Sequence, residues 1–201
     1  MEFVVLGWPA DEVTLRLDYR RFSYAGKFVM TNTGKAVVRD PGAAVDPPDT
    51  GTIPPSTTAA GDAYDTDVLA AVAFNEDRTD PGTVWFRYVT VREDRRGEGL
   101  GPRLLAYLAA RVEDRGYDRL RIAVNNPFAY EACYKVGFGY TGERTGLAEL
   151  VLERPAPGER DPARYRAGLA VYRERDPDDP EASFLAARTD ASPPARVDTS
   201  A

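Results

Sequence analysis

The chain has 201 residues, a formal net charge of −6, no histidine and one cysteine, Cys133. These numbers exclude an internal disulfide and any catalysis by a histidine base, and the acidic balance argues against a nucleic-acid partner. No apolar run approaches the roughly 20 residues of a membrane helix and no signal-like leader follows Met1, so we expect a cytoplasmic protein without a membrane partner.

The N-terminal third contains three candidate elements and one loop. The apolar run from Glu2 to Trp8 predicts a strand. Apolar residues of mixed period between Asp11 and Tyr24 indicate a short helix, and Lys27 to Val38 has the pattern of a hairpin around Asn32-Thr33-Gly34. The segment from Asp40 to Asp67 has almost no large apolar residue, so we expect a mobile loop there, with a substrate lid as the alternative.

From Val68 to Leu152 the apolar pattern alternates between strands and helices. The predicted elements are strands at Val68 to Phe74 and Thr83 to Val91, a helix from Leu100 to a C-cap at Gly116, a strand at Leu120 to Val124, a helix opened by Pro127, and a hairpin of residues 137–140 and 147–152. The first of these helices is amphipathic, because apolar residues recur in it at every fourth position. This order predicts a mixed α/β (α+β) fold.

Beyond Arg154 the sequence becomes polar and rich in proline. The stretch from Asp161 to Arg173 has one apolar face and predicts a helix that docks on its own domain, and residues from about Arg188 onward are expected to be disordered. We therefore expect a domain at residues 1–154, with a flexible loop at 40–67, followed by a C-terminal helical extension and a disordered tail at 155–201.

Three glycines, Gly97, Gly99 and Gly101, lie between a predicted strand and a predicted helix. A glycine-rich turn in front of a helix exposes backbone N–H groups next to the positive end of the helix dipole, which favours a bound phosphate. The spacing does not fit a dinucleotide-binding fingerprint, because the third glycine would fall at Pro102, and the chain has no Gly-Lys-Ser/Thr of a P-loop.

The charge around these glycines favours an anionic ligand over a turn without a ligand. From Arg87 to Arg121 there are nine arginines and six acidic residues, a local balance of +3 in an acidic chain. As single residues, the flanking arginines are better explained as a solvated face. They are Arg92, Arg95, Arg103 and Arg111.

The run Arg96-Gly97-Glu98-Gly99-Leu100-Gly101 matches the Arg/Gln-x-x-Gly-x-Gly/Ala signature of the GNAT superfamily of N-acetyltransferases, which the chain resembles. After the next strand, Asn126 to Phe138 is similar to the family's Asn-x-x-Ala segment that continues to a Tyr and then Gly-Phe. The resemblance covers about residues 83 to 142. It implies a mostly antiparallel central sheet with a splayed parallel strand pair, flanked by helices. The use of arginine with only three lysines also resembles proteins of haloarchaea, and a GC-rich genome explains it equally well.

By this resemblance the chain transfers an acetyl group from acetyl-CoA directly to a primary amine and uses no metal. Backbone amides of residues 96–101 would hold the CoA pyrophosphate, the strand before them would pair with the pantetheine arm, and an asparagine would hydrogen-bond that arm. A backbone N–H near Val89 would stabilise the charge that develops on the carbonyl oxygen. The implied cofactor-binding residues are Val89, Val91, Arg96, Gly97, Glu98, Gly99, Leu100, Gly101, Asn125 and Asn126.

The implied general acid is Tyr134, because a phenol with a pKa of about 10 is able to protonate a departing thiolate. The family places its Tyr four residues before the Gly of Gly-Phe, where this chain has Cys133, so Tyr134 lies one residue late. A core aromatic is the alternative role for Tyr134, and Tyr130 is a rival acid.

The general base stays open between Glu76, Asp77, a tyrosine and a chain of waters. The alternative function is a non-catalytic module that senses acyl-CoA or binds a partner. The acceptor amine is not identified by the sequence, and a homodimer is one possible assembly.

Overall fold

The computed structural model describes residues 1–44, 64–146, 148–158 and 160–197. Seven strands and four α-helices follow one another in these ranges. They are β1 (Glu2–Gly7), β2 (Gly34–Arg39), β3 (Val68–Glu76), β4 (Thr83–Val91), α1 (Leu100–Glu113), β5 (Arg119–Val124), α2 (Pro127–Lys135), β6 (Gly139–Arg144), β7 (Leu150–Arg154), α3 (Pro162–Arg173) and α4 (Asp179–Ala186). No helix in the described ranges is both long enough and apolar enough to cross a membrane.

The chain forms two compact units. The first comprises residues 1–75 and 88–104, and the second comprises 76–87 and 105–201, so that β4 and α1 each contribute to both. The strand order is β1-β2-β3-β4 in the first unit and β4-β5-β7-β6 in the second. The predicted mixed α/β fold, with a mostly antiparallel sheet and one parallel strand pair, is confirmed.

In the first unit, β2 is fully paired, antiparallel to β1 on one side and to β3 on the other. Its glycine, Gly34, is required by space, because a β-carbon there would lie 2.5 Å from Cζ of Phe74. The hairpin expected at Lys27 to Val38 is wrong in its first half, where a 3-10 turn and further turns precede β2. The ammonium group of Lys35 stabilises these turns, since it donates to the carbonyl oxygens of Met30 at 2.8 Å and Thr33 at 2.6 Å.

The helix expected between Asp11 and Tyr24 is also wrong. The segment forms turns, because the Asp18 carboxylate accepts hydrogen bonds from the backbone and the guanidinium of Arg20 and so competes with helical hydrogen bonding. The apolar side chains that suggested a helix are nevertheless buried in the core of this unit, among them Leu15, Leu17 and Phe22.

In the second unit, β5 lies between a parallel and an antiparallel neighbour. Its parallel pairing with β4 runs from Thr83 opposite Arg119 to Phe86 opposite Ile122. On its other side β5 pairs with β7, and β6 and β7 form the predicted hairpin. The helix α1 ends at Glu113, and Gly116 adopts a left-handed φ of +86° in the turn that follows.

The C-terminal segment lies in the second unit. The amphipathic stretch from Asp161 onward is α3, capped by the Asp161 carboxylate. Disorder was expected from about Arg188, but the chain contacts α2 up to residue 197: the Arg188 guanidinium pairs with Glu131, and the Val197 N–H donates to the Lys135 carbonyl at 2.8 Å. The domain boundary near residue 154 stays a prediction. Residues 45–63 of the expected loop and lid lie outside the described residues.

Candidate cofactor loop and active-site residues

The glycine loop connects the end of β4 to the start of α1. A 3-10 turn at Glu93–Arg95 follows the strand, and Gly97 and Gly99 then adopt left-handed φ values of +85° and +75°. A β-carbon at either glycine would meet open space, so these positions need glycine for conformation and not for room. Gly101 differs, because its β-carbon would lie 3.5 Å from Cγ2 of Val91, an ordinary contact that places β4 directly beside the helix start.

The loop and the helix start together form a cradle of backbone groups. The first hydrogen bond within α1 runs from the Arg103 N–H to the Gly99 carbonyl at 3.3 Å, so the N–H groups of Leu100 and Gly101 precede the hydrogen-bonded helix. The α1 dipole adds positive partial charge at this helix start. The sequence-predicted residues from Arg96 to Gly101 thus lie in one turn, exposed at residues 96–99 and buried at Leu100.

Two loop arginines are committed to carboxylates. Arg95 makes two hydrogen bonds to Glu98, at 2.7 and 2.8 Å, and these bonds hold the pKa of the Glu98 carboxyl below its usual value. Arg92 is not the solvated cation that the sequence suggested, because only 3% of its surface is exposed. It pairs with Asp94 and donates to the Ala43 carbonyl at 2.9 Å.

Two further arginines contact neutral groups. Arg96 donates to the hydroxyl oxygen of Ser23 at 3.1 Å, and the guanidinium carbon of Arg103 lies 5.1 Å from the centre of the Phe3 ring. Both residues are exposed and lie within the loop or the first turn of α1. They are therefore the arginines of this region that are best placed to meet a polyphosphate.

The end of β4 carries the other predicted residues of the first unit. Val89 and Val91 are half-buried, whereas Thr90 between them is buried. Alternation along a strand explains the burial of Arg92 as well, since Thr90 and Arg92 share a face. The alternation of side chains along β4 was visible in the sequence, and it could have predicted that Arg92 is buried.

The two predicted asparagines follow β5 in the second unit and have different roles. The Asn126 side-chain oxygen caps α2 by accepting the Ala129 N–H at 2.8 Å, and its amide donates to Asn125 Oδ1 at 3.1 Å. Asn125 is exposed. Both side chains therefore take part in hydrogen bonds, and both asparagines stay predicted ligand contacts.

Tyr134 lies on α2 within a cluster of buried tyrosines. Its hydroxyl oxygen accepts the Tyr140 N–H at 3.0 Å and lies 3.3 Å from the hydroxyl of Tyr130. Burial raises the pKa of Tyr134, so the phenol stays protonated at neutral pH. The rival Tyr130 is more deeply buried, and its hydroxyl also donates to the Tyr165 carbonyl at 3.1 Å.

The remaining chemical candidates of the second unit are engaged in the fold. Complete burial raises the pKa of the Cys133 thiol to about 12, so this cysteine is not a nucleophile at neutral pH. Asp77 accepts from Thr79 and from the Trp85 indole, and these hydrogen bonds lower its pKa, which makes it a poor base. Glu76 accepts the Tyr117 hydroxyl. Among the described residues, no group of three potential metal ligands occurs.

Residues 40–138 match the model of the Acetyltransferase (GNAT) family. Over this range the chain is similar to GNAT acetyltransferases. The matched range includes the glycine loop, both asparagines and Tyr134, and it ends at Phe138 of the second sequence motif. The prediction of an enzyme family of the acyltransferase class is confirmed.

Several solved structures that are similar to this chain are described as N-acetyltransferases, at low sequence identity. An N-acetyltransferase from Staphylococcus aureus Mu50 is 17% identical with a TM-score of 0.43, over 60% of this chain and 66% of that one, just under two thirds of its length. A putative N-acetyltransferase from Lactobacillus plantarum is 16% identical with a TM-score of 0.47, over 76% and 95% of the two chains. The PaiA N-acetyltransferase from Thermoplasma acidophilum, in complex with coenzyme A, is 16% identical with a TM-score of 0.38, over 45% and 55%. No curated protein matches the chain significantly.

Proposed function

We propose that the protein is an N-acetyltransferase that uses acetyl-CoA to acetylate a primary amine on a small molecule or a peptide. The observation that carries the proposal is the turn from Arg96 to Gly101, in which two left-handed glycines precede a helix start whose first N–H groups lie before the helical hydrogen bonds. An anionic pyrophosphate suits this cradle, and Arg96 and Arg103 add positive charge beside it.

The residues of the first unit would bind and polarise the thioester. The amides from Gly97 to Gly101 hold the phosphates, and the backbone near Val89 and Val91 pairs with the pantetheine arm. Bound acetyl-CoA supplies an activated acyl group that an amine is able to attack directly. The N–H near Val89 then donates to the carbonyl oxygen as negative charge develops there.

By the resemblance, Asn125 would contact the arm and Tyr134 would supply the proton for the departing thiolate. The Tyr134 oxygen accepts the Tyr140 N–H and keeps its own O–H hydrogen as a donor, with the Tyr130 hydroxyl 3.3 Å away. The raised pKa keeps that hydrogen in place at neutral pH. The lowered pKa of Asp77 makes it a poor base and Glu76 accepts the Tyr117 hydroxyl, so we propose that water deprotonates the amine.

Thermal unfolding with and without acetyl-CoA tests the cofactor assignment. At one hundred times Kd, ligand binding should raise Tm by roughly 5 to 10 °C. Gly99→Glu should abolish the shift, because its carboxylate would repel the phosphates. Gly116→Glu is the matched control, since Gly116 has the same left-handed φ and open surroundings on another loop. The absence of a shift in the wild type would overturn the proposal.

Thiol release in the presence of a panel of primary amines separates an enzyme from a module that only binds acyl-CoA. The presence of Cys133 at the family's tyrosine position is the observation that favours the module. Amine-dependent release of CoA supports the enzyme. A Tm shift without release from any amine supports the module.

A further inference from the structure

The last turn of α3 reaches the backbone that follows β5. The hydroxyl of Tyr172 donates to the carbonyl oxygen of Val124 at 3.0 Å, a contact between residues 48 positions apart. Only 1% of the Tyr172 surface is exposed. Val124 is the last residue of β5, so this hydrogen bond fixes the point at which the chain leaves the strand.

Arg175 makes a similar contact with the next residue along the chain, Asn125. Its guanidinium carbon lies 4.7 Å from the centre of the Tyr172 ring, and Nη1 donates to the carbonyl oxygen of Asn125 at 3.3 Å. A second nitrogen of Arg175 donates to the Ala148 carbonyl. Two consecutive carbonyl groups, those of Val124 and Asn125, are therefore held by neighbouring side chains at the end of α3.

The position of α3 is itself defined by close packing on α2. A β-carbon on Gly168 would lie 2.1 Å from the hydroxyl oxygen of Tyr130, so glycine permits the two helices to approach at this point. The Tyr130 hydroxyl donates to the Tyr165 carbonyl of α3 at 3.1 Å. These contacts fix the position of α3. From there Tyr172 and Arg175 hold the backbone of Val124 and Asn125, which we call the β5 exit.

We propose that Tyr172 and Arg175 are positioning residues that set the conformation of Val124 and Asn125 for binding the pantetheine arm. The proposal rests on the proposed function, and it gives the C-terminal extension a part in cofactor binding. With its carbonyl held, the Asn125 peptide group cannot rotate freely, and the side chain of Asn125 is presented in one direction. Loss of either contact leaves the glycine loop unchanged, so only the arm is affected.

Steady-state kinetics with acetyl-CoA and with acetyl-pantetheine, which lacks the phosphates of the nucleotide, test this assignment. Tyr172→Phe and Arg175→Ala should each raise KM for both thioesters by the same factor, about 3- to 10-fold, as expected for one lost hydrogen bond. The kcat and the KM for the amine should change by less than twofold. Tyr172→Phe removes one oxygen atom, and Arg175 is only half-buried, so both variants should fold.

Arg173→Ala is the matched control, because Arg173 lies in the same turn and also donates to a backbone carbonyl, that of Leu185 at 2.9 Å, but does not contact the β5 exit. An unchanged thioester KM in both test variants, or an equal rise in Arg173→Ala, would overturn the proposal. A wild-type protein that shows no Tm shift with acetyl-CoA would instead contradict the proposed function.

Discussion

The hydroxyl oxygen of Tyr130 occupies the space that a β-carbon on Gly168 would require, at a separation of 2.1 Å. The ring carbon that bears the hydroxyl would be 2.4 Å away, so rotation of the hydroxyl alone does not relieve the contact. Tyr130 is fully buried and packs against the rings of Tyr134, Tyr165 and Tyr172. Gly168 on α3 therefore determines how the buried tyrosines pack against one another.

Gly168→Ala should destabilise the protein by about 1 to 3 kcal/mol, because the added methyl group overpacks a filled core and outweighs the gain in helix propensity. Chemical unfolding measures the change. Gly26→Ala is the control, since a β-carbon there meets no atom within 4 Å, and it should change stability by less than about 0.5 kcal/mol. Equal effects of the two substitutions would contradict the packing argument.

Arg96→Ala should weaken acetyl-CoA binding about tenfold, because Arg96 is an exposed loop arginine whose guanidinium hydrogen bond within the described ranges is to a neutral hydroxyl, that of Ser23. Titration calorimetry at low and high salt measures the effect, and the wild type should lose more affinity with added salt than the variant does. Arg111→Ala serves for comparison, since Arg111 pairs with Asp114 at 3.4 Å on the exposed side of α1. A similar loss in both variants would argue against a phosphate contact of Arg96.

The sequence allowed the glycine loop to be predicted because its signature is local. Left-handed backbone at Gly97 and Gly99, the strand before them and the helix after them all follow from about twenty consecutive residues. The turns before β2 escaped prediction because they depend on distant or side-chain contacts, such as the hydrogen bond from the Leu15 N–H to the Phe28 carbonyl at 3.0 Å. Apolar residues between positions 11 and 24 that suggested a helix do lie in the core, but the backbone there forms turns and no α-helix.

In the candidate site, too, some roles had a local sequence signal and others had none. The capping role of Asn126 was implicit in an Asn directly before a Pro at a helix start, and the inward position of Arg92 was implicit in the alternation along β4. The contact between Tyr172 and Val124 had no such signal, because hydrophobic periodicity predicts which face of α3 is buried and not what its hydroxyl reaches.

Lys35 should make stability rise with pH in the alkaline range. Its side chain is fully buried, and burial lowers the pKa of its ammonium group to about 8, below the value of about 10.4 in an unfolded chain. Below pH 8 the ammonium group is charged in both the folded and the unfolded chain, so the folded state bears the full desolvation cost of burying the charge. Between pH 8 and about 10.4 the unfolded chain binds more protons, so the free energy of unfolding rises, by about 2 to 3 kcal/mol in total.

Urea unfolding between pH 7 and 10.5 measures this dependence, with Lys35→Met as the control because methionine preserves an unbranched apolar chain without a titrating group. The difference in stability between wild type and variant should change in favour of the wild type as pH increases. A constant difference across the range would show that the ammonium group keeps its ordinary pKa, held by the oxygens of Met30 and Thr33.

Tyr134→Phe should lower kcat by about 10²- to 10⁴-fold while acetyl-CoA still raises Tm, because the variant loses a proton donor and keeps the glycine loop. It should also lose about 1 to 3 kcal/mol of stability, since the buried Tyr140 N–H is left without its acceptor. Tyr165→Phe is the comparison within the same cluster, because its hydroxyl contacts Glu131 at 3.3 Å. Rapid-mixing measurements of thiol release separate the chemical step from product release. Equal rates in the two variants would remove Tyr134 from the reaction and leave it as a core residue that holds β6 against α2.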